Sequence, residues 1–202
     1  GERAELIDEL QSLGLIKRLR SYSATTQGKL ELLDQFQDCF HDGRVIIPIR
    51  SAEGNRTKVV GFAGRALQST PPEGVPKYLL TPDFEKSEYL FNEPEAFRAV
   101  AQALKNDEPA RLYLVEGFLD ALRLQSLGQP AVALMGISLG KGQFERLTNL
   151  SQKTPGTASL AYCIFLDNDP AGFGGADRLA RGLLGLIGVD VRWVGMPWRT
   201  EP

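Results

Sequence analysis

Three carboxylates stand out because each sits at the end of an apolar run: Glu116 closes LYLVEG, and Asp167 and Asp169 close CIFLDND. Runs of this kind read as strands, and in an open α/β sheet ligands bind beyond the carboxyl ends of the strands. Residues far apart in sequence can therefore converge there. Three oxygen donors with no His or Cys among them suit Mg²⁺ or Mn²⁺, hard cations that keep waters and accept substrate phosphates as further ligands. Two such ions about 4 Å apart would serve an in-line phosphoryl displacement. A carboxylate after a strand has a second use, capping the next helix, and Asp120 or Asp167 taken singly fits it. The chemistry rests on the motifs together.

The elements that must position these residues follow from Arg111 onward. RLYLVEG, AVALMG, LAYCIFLDND and VDVRWVGM are apolar runs, and FLDALRLQSLG, KGQFERLTNL and AGFGGADRLARGLLGLIG are amphipathic segments between them. Four runs separated by three such segments imply βαβ units, hence a parallel sheet covered by helices. Upstream, ELIDELQSLGL predicts a short helix stopped by Gly14. GRVIIPIR and TKVVGFAGRAL predict a hairpin around SAEGN, whose Glu-Gly-Asn centre is good turn chemistry. The stretch STPPEGVPKYLLTPDFEKSEYLFN predicts an ordered, irregular segment pinned by its aromatics, and EPEAFRAVAQALKNDEP predicts a helix running into a linker. A boundary is expected near Pro109. Beyond two close Gly-rich turns there is no internal repeat.

Composition narrows the function classes. The 202 residues are 43% hydrophobic, enough for a buried core, and their net charge of -2 excludes a wholesale basic coat for nucleic acid. A polyanion site must be local. Cys39 and Cys163 lie far apart, and His41 is the single histidine, so no ligand set for structural zinc is present. A reduced, cytoplasmic compartment is expected. No apolar stretch approaches the ~20 residues that span a bilayer, and the start GERAELIDEL is no signal peptide. Gly1 in place of Met reads as the start of an excised piece of a longer chain.

EGFLDAL followed by LDNDPAG resembles the TOPRIM domain, and the resemblance runs over most of residues 111–198. It implies that Glu116, Asp167 and Asp169 bind catalytic metal, and that Asp120 matches a further acidic position that binds metal or orients a ligand. MGISLG, with Gly136 and Gly140, is similar to the family's LGTSL loop, where small residues let backbone approach a ligand; an ordinary β-to-α turn reads the same. Upstream, HDGRVIIPIRSAEGNRTKVVGFAGRAL and then PKYLLTPDFEKSEYLFN resemble the amino-terminal part of DnaG-type primase cores, in order and spacing. That similarity implies template and nucleotide contacts at Arg44, Arg65, Lys77 and Lys86. Composition agrees locally: from Gly43 to Lys86 seven basic residues face four acidic ones, +3 within a chain of -2. Tyr78, Phe84 and Tyr89 read either as base-stacking platforms or as the local core of an irregular segment. Departures are Ala63 for Gly, Ile47 for Phe and Asn168 for Gly, and no Cys/His zinc ribbon precedes the core.

The fold expected is α/β: a TOPRIM parallel sheet flanked by helices over 110–202, its carboxyl-terminal part truncated, preceded by a smaller α+β primase-core subdomain over 1–109. The resemblance implies a primase that makes short RNA primers by nucleotidyl transfer. Its cofactor is Mg²⁺ or Mn²⁺, its substrates are single-stranded DNA template and ribonucleoside triphosphates, and a replicative helicase is expected to bind through regions outside this chain. A TOPRIM nuclease, activating water in place of a sugar hydroxyl, is one alternative. A non-catalytic replication module of a phage or mobile element is the other.

Overall fold

A computed structural model describes residues 2–24, 30–41, 43–54, 56–68, 71–153, 159–186 and 189–195. They fall into two compact units, the first comprising residues 1–49 and 59–84 and the second residues 50–58 and 85–202.

In the first unit, helix α1 (Glu2–Ser12) leads into an antiparallel pair of strands, β1 (Ile16–Ala24) and β2 (Leu30–Asp38), in which Ile16 faces Asp38 and Ala24 faces Leu30. A three-stranded sheet follows, ordered β3-β4-β5, from β3 (Arg44–Glu53), β4 (Arg56–Ala66) and β5 (Tyr78–Leu80). The expected hairpin is β3–β4. Alternation along β3 buries Ile47 and Ile49, whereas β4 buries Ala63 and Ala66, three positions apart and so on opposite faces of the strand. Phe40 is buried against Gly64, where a Cβ would collide with its ring. The irregular segment contributes β5, which pairs antiparallel with β4, Ala63 facing Leu80. Phe84 packs on Gly61, so this aromatic is local core.

The second unit begins at the tip of that hairpin and resumes at Glu85. After a single 3₁₀ turn (Lys86–Glu88) and helix α2 (Glu93–Lys105) come β6 (Ala110–Val115), α3 (Phe118–Ser126), β7 (Ala131–Ala133), α4 (Lys141–Gln152), β8 (Leu160–Ile164), α5 (Pro170–Leu183) and β9 (Val189–Trp193). The strands form one wholly parallel sheet, ordered β7-β6-β8-β9. Leu112, Leu114, Val132, Leu134, Tyr162 and Ile164 point from the sheet into one cluster with α2, α4 and α5. Each such side chain contributes about 1.5–3 kcal/mol of apolar burial, which makes this the dominant core. The Tyr162 hydroxyl, inside it, donates to the Leu147 carbonyl at 2.6 Å, and burial drives its pKa well above the usual tyrosine value. Alternation turns Val115, Ala131 and Ala133 to the opposite face, where α3 lies on β6 and β7 with Phe118 and Ala121 buried.

Contacts thus group Glu85–Lys105 with the parallel sheet, ahead of the Pro109 at which the composition changes. The reason is the apolar stripe of α2, Ala96, Val100 and Leu104, which is part of the sheet's core. Among the described residues no helix is long and apolar enough to cross a membrane.

Candidate active site

Parallel pairing sets Leu114 opposite Ile164, so the chain leaves β6 and β8 side by side at the same edge of the sheet. Glu116 follows the first by one residue and Asp167 and Asp169 follow the second. Strand order makes this the point of divergence: from β6 the chain crosses through α3 to β7 on one side, while β8 and β9 lie on the other. Crevices at such points are where open α/β sheets bind ligands.

The neighbouring carboxylates act on Glu116 there. The Glu116 carboxyl is pushed above its ordinary value first by partial burial, then by the negative charges of Asp167, Asp169 and Asp120. Asp120 sits near the start of α3, its carboxylate against the backbone of Gly117. Asp169 is also the N-cap of α5, its Oδ1 accepting the Gly172 N–H at 2.7 Å. The capping role that Asp120 and Asp167 each fitted on sequence is filled at α5 by Asp169. Gly172 and Gly175 let that helix lie close: a Cβ on the first would strike the Asp167 carbonyl, and one on the second would stand 2.7 Å from the Ile137 carbonyl. Between the two aspartates, Asn168 has a buried Oδ1 with no hydrogen-bond partner.

Every donor here is oxygen, which suits a hard divalent cation. Among the described residues, however, no three of His, Cys, Asp or Glu are gathered into a ready-made metal cluster. That is compatible with Mg²⁺, which needs only one or two carboxylates beside waters and substrate phosphates.

A cleft of about 350 Å³ opens beside Glu116, lined also by Lys86, Ser87, Gly136, Ser138 and Gln143. Its wall is the 135–140 loop, the expected MGISLG segment, entered through Met135 in a left-handed conformation (φ 58°). A Cβ on Gly136 would lie 3.6 Å from the Lys86 Nζ. Lys86 is thus the expected basic residue that shares the cleft with a carboxylate. Gln143 was not among the residues singled out by sequence. Its signal, a polar residue in the buried stripe of a helix, is visible only once the helix's packing is known.

Arg44, Arg65 and Lys77 belong to the first unit. The Arg44 Nη1 donates to the carbonyls of Gly64 (3.1 Å) and Pro76 (3.0 Å). The Arg65 guanidinium lies 5.9 Å from the centre of the Tyr78 ring, and Lys77 is exposed. Arg44 and Arg65 are therefore already part of the fold.

A larger cavity, about 830 Å³, lies between the hairpin tip, α2 and α4 and contains none of Glu116, Asp120, Asp167 and Asp169. Its wall holds Glu93, which accepts from Arg146 at 2.8 Å and from Ser51 at 3.2 Å. Burial raises the Glu93 pKa even against these two partners. The two clefts differ in this respect, since the larger one's buried charge is paired.

Two family models match in succession: the DNA primase catalytic core, N-terminal domain, over residues 5–97, and a Toprim-like domain over residues 113–201. The chain belongs to the DnaG-type primase family. Within this primase family, the DNA primase of Mycoplasma pneumoniae is 35% identical over 153 residues, 74% of this chain and 22% of the relative. That of Escherichia coli K12 is 31% identical over 165 residues, covering 79% and 25% respectively. Among solved structures, the zinc-binding and RNA polymerase domains of Aquifex aeolicus primase match the whole chain and 42% of that chain with a TM-score of 0.66 at 28% identity. The RNA polymerase domain of Mycobacterium tuberculosis primase DnaG matches the whole chain and 59% of that chain with a TM-score of 0.61 at 25% identity. The chain spans only about a quarter of the length of these curated primases. Toprim primases use divalent metal, in keeping with the oxygen donors described above.

Proposed function

We propose that this chain is the polymerising core of a primase, which joins ribonucleotides on single-stranded DNA by nucleotidyl transfer. The observation that carries the reading is the placement of Glu116, Asp167 and Asp169 just beyond the paired ends of β6 and β8, with Asp120 near the start of α3, beside a cleft that also holds Lys86. Glu116, Asp167 and Asp169 would hold Mg²⁺ or Mn²⁺, with Asp120 as a fourth ligand or as a group orienting one of them. Bound there, the cation supplies charge neutralisation for phosphoryl transfer. The chain's own groups do the rest. Lys86 meets the phosphates of the incoming triphosphate inside the cleft, and the glycine-bearing 135–140 loop lets backbone approach it.

Arg44, Arg65 and Lys77 are assigned to the template strand, with residues 1–109 as the amino-terminal primase-core subdomain, which also lends Lys86 to the cleft, and 110–202 as the TOPRIM domain. Cytoplasmic replication, with a helicase bound through other regions, is the setting this implies. To test the reading, the purified protein is incubated with labelled single-stranded DNA, ribonucleotides and Mg²⁺ or Mn²⁺. Extension products are expected. DNA fragments in their place would identify a nuclease, and neither product would leave a binding module.

A further inference from the structure

The turn that carries Lys86 is three residues long, and no side chain caps its start. So short a 3₁₀ segment does not hold itself together. It is held by the first two turns of α4. Gln143, only 1% exposed, brings the two N–H groups of its Nε2 to three carbonyls, those of Lys86 (2.8 Å), Tyr89 (2.8 Å) and Leu134 (2.9 Å), so that one N–H is shared, while its Oε1 accepts the Gly140 N–H at 2.9 Å. One turn on, Arg146 donates from Nε to the Glu88 carbonyl at 2.7 Å and lies 5.0 Å from the centre of the Tyr89 ring. Just ahead of Gln143 the helix start is bare at Gly140 and Gly142. A Cβ on Gly140 would stand 2.6 Å from the Ser87 Cα, and one on Gly142 would stand 2.7 Å from the Glu88 Cα. The turn lies directly on the helix backbone.

Gln143 therefore joins three segments whose common feature is the cleft beside Glu116: the Lys86 turn, the end of the β7 segment at Leu134, and the far end of the 135–140 loop at Gly140. We propose that Gln143 is a positioning residue for nucleotide binding, fixing the Lys86 turn on α4 so that the Lys86 ammonium meets the triphosphate in that cleft. The proposal rests on the reading of the cleft as a nucleotide site. Gln143 touches no reacting atom in it. A carboxamide is suited to the position because it presents N–H donors to the converging carbonyls and an oxygen to the Gly140 N–H. Glutamate would keep the oxygen and lose the donors.

The test measures affinity for a fluorescent ATP analogue with Mg²⁺ by anisotropy, alongside melting temperature and Mn²⁺ affinity. The proteins are the wild type, Lys86→Ala, Gln143→Glu, Gly142→Ala, and the last two each combined with Lys86→Ala. Each single variant should weaken ATP binding by about 3- to 30-fold, and neither combination should bind worse than Lys86→Ala alone. Mn²⁺ affinity should stay within twofold or so in all of them. Losses that multiply in the combinations, or wild-type ATP affinity in Gln143→Glu and Gly142→Ala, overturn the proposal. Should Gln143→Glu not fold, Gly142→Ala decides alone, since it removes no hydrogen bond and improves helix propensity. A wild type that binds no ATP sinks the nucleotide reading as well, whereas multiplying losses sink only the role of Gln143.

Discussion

The two units hold their charges in opposite ways. In the first, two of the three candidate cations are built into the fold: Arg44 is tied to the carbonyls of Gly64 and Pro76, and Arg65 lies against Tyr78. In the second, the candidate anions stand at strand ends over a deep apolar core, and Asp120, Asp167 and Asp169 are exposed. An arginine used in this way trades mobility for a fixed direction, while an exposed carboxylate keeps its charge for a ligand. Replacing the first should therefore cost stability, and replacing the second should cost chemistry.

The largest expected effect is the sharpest test of that contrast. Asp169→Asn removes a negative charge from the proposed metal site but keeps a good N-cap, because Asn accepts from the Gly172 N–H as Asp does. Primer synthesis should fall by about 100-fold or more while the melting temperature stays within a degree or two and DNA affinity holds or rises. Normal synthesis by this variant would break the metal assignment. Next comes Lys77→Ala, exposed in the first unit. It should weaken single-stranded DNA binding several-fold and reduce the magnitude of the salt slope by about 0.7, with no change in melting temperature. A salt slope equal to the wild type's would remove Lys77 from the strand contacts.

Arg44→Lys is predicted to act without any nucleic acid present. A lysine side chain is shorter and cannot bring its ammonium to where the Arg44 Nη1 stands between the two carbonyls, so thermal denaturation should report a loss of about 1 kcal/mol. If only DNA binding changes, Arg44 is a contact residue and the contrast between the units fails at that position. The smallest effect concerns Glu116. Its folded-state pKa is raised, so its contribution to stability is complete below the unfolded value and is lost as pH rises through the folded one. Glu116→Gln should therefore leave stability unchanged at low pH and raise the melting temperature by about 1–2 °C at neutral pH, an effect kept small by solvent screening. A melting temperature lowered at neutral pH would contradict the repulsion.

What the sequence conveyed differs between the units for a physical reason. From Arg111 on, the inner stretches of β6, β7 and β8, buried on both faces, appear as apolar runs and the helices as amphipathic stretches, so the β-α alternation is legible. The β3–β4 hairpin is legible through its turn chemistry. The β1–β2 pair is not: Ile16, Leu19 and Tyr22 recur every third residue, and in β2 the leucines at 30, 32 and 33 and Phe36 follow no alternation. Period-two reasoning has nothing to grip there. At the site, carboxylates at strand ends can be found from the runs they close. Gln143 and the Glu93–Arg146 pair cannot, because their partners lie on other elements and emerge only from packing. Arg44 is a third kind of miss, a charged residue whose carbonyl partners the sequence does not announce.

The strand order has a consequence for how the chain assembles. Glu116 and Asp167 are 51 positions apart, and they become neighbours only when β8 threads in beside β6, past the already local β6-α3-β7 unit. Closing that long loop is the slow, entropically costly event of a parallel sheet. A folding intermediate with only the first crossover complete holds Glu116 and Asp120 but neither of the later aspartates. Cation affinity should therefore appear in step with the central pair of strands during refolding, so that a metal-sensitive dye mixed in during a stopped-flow experiment would time the completion of the sheet.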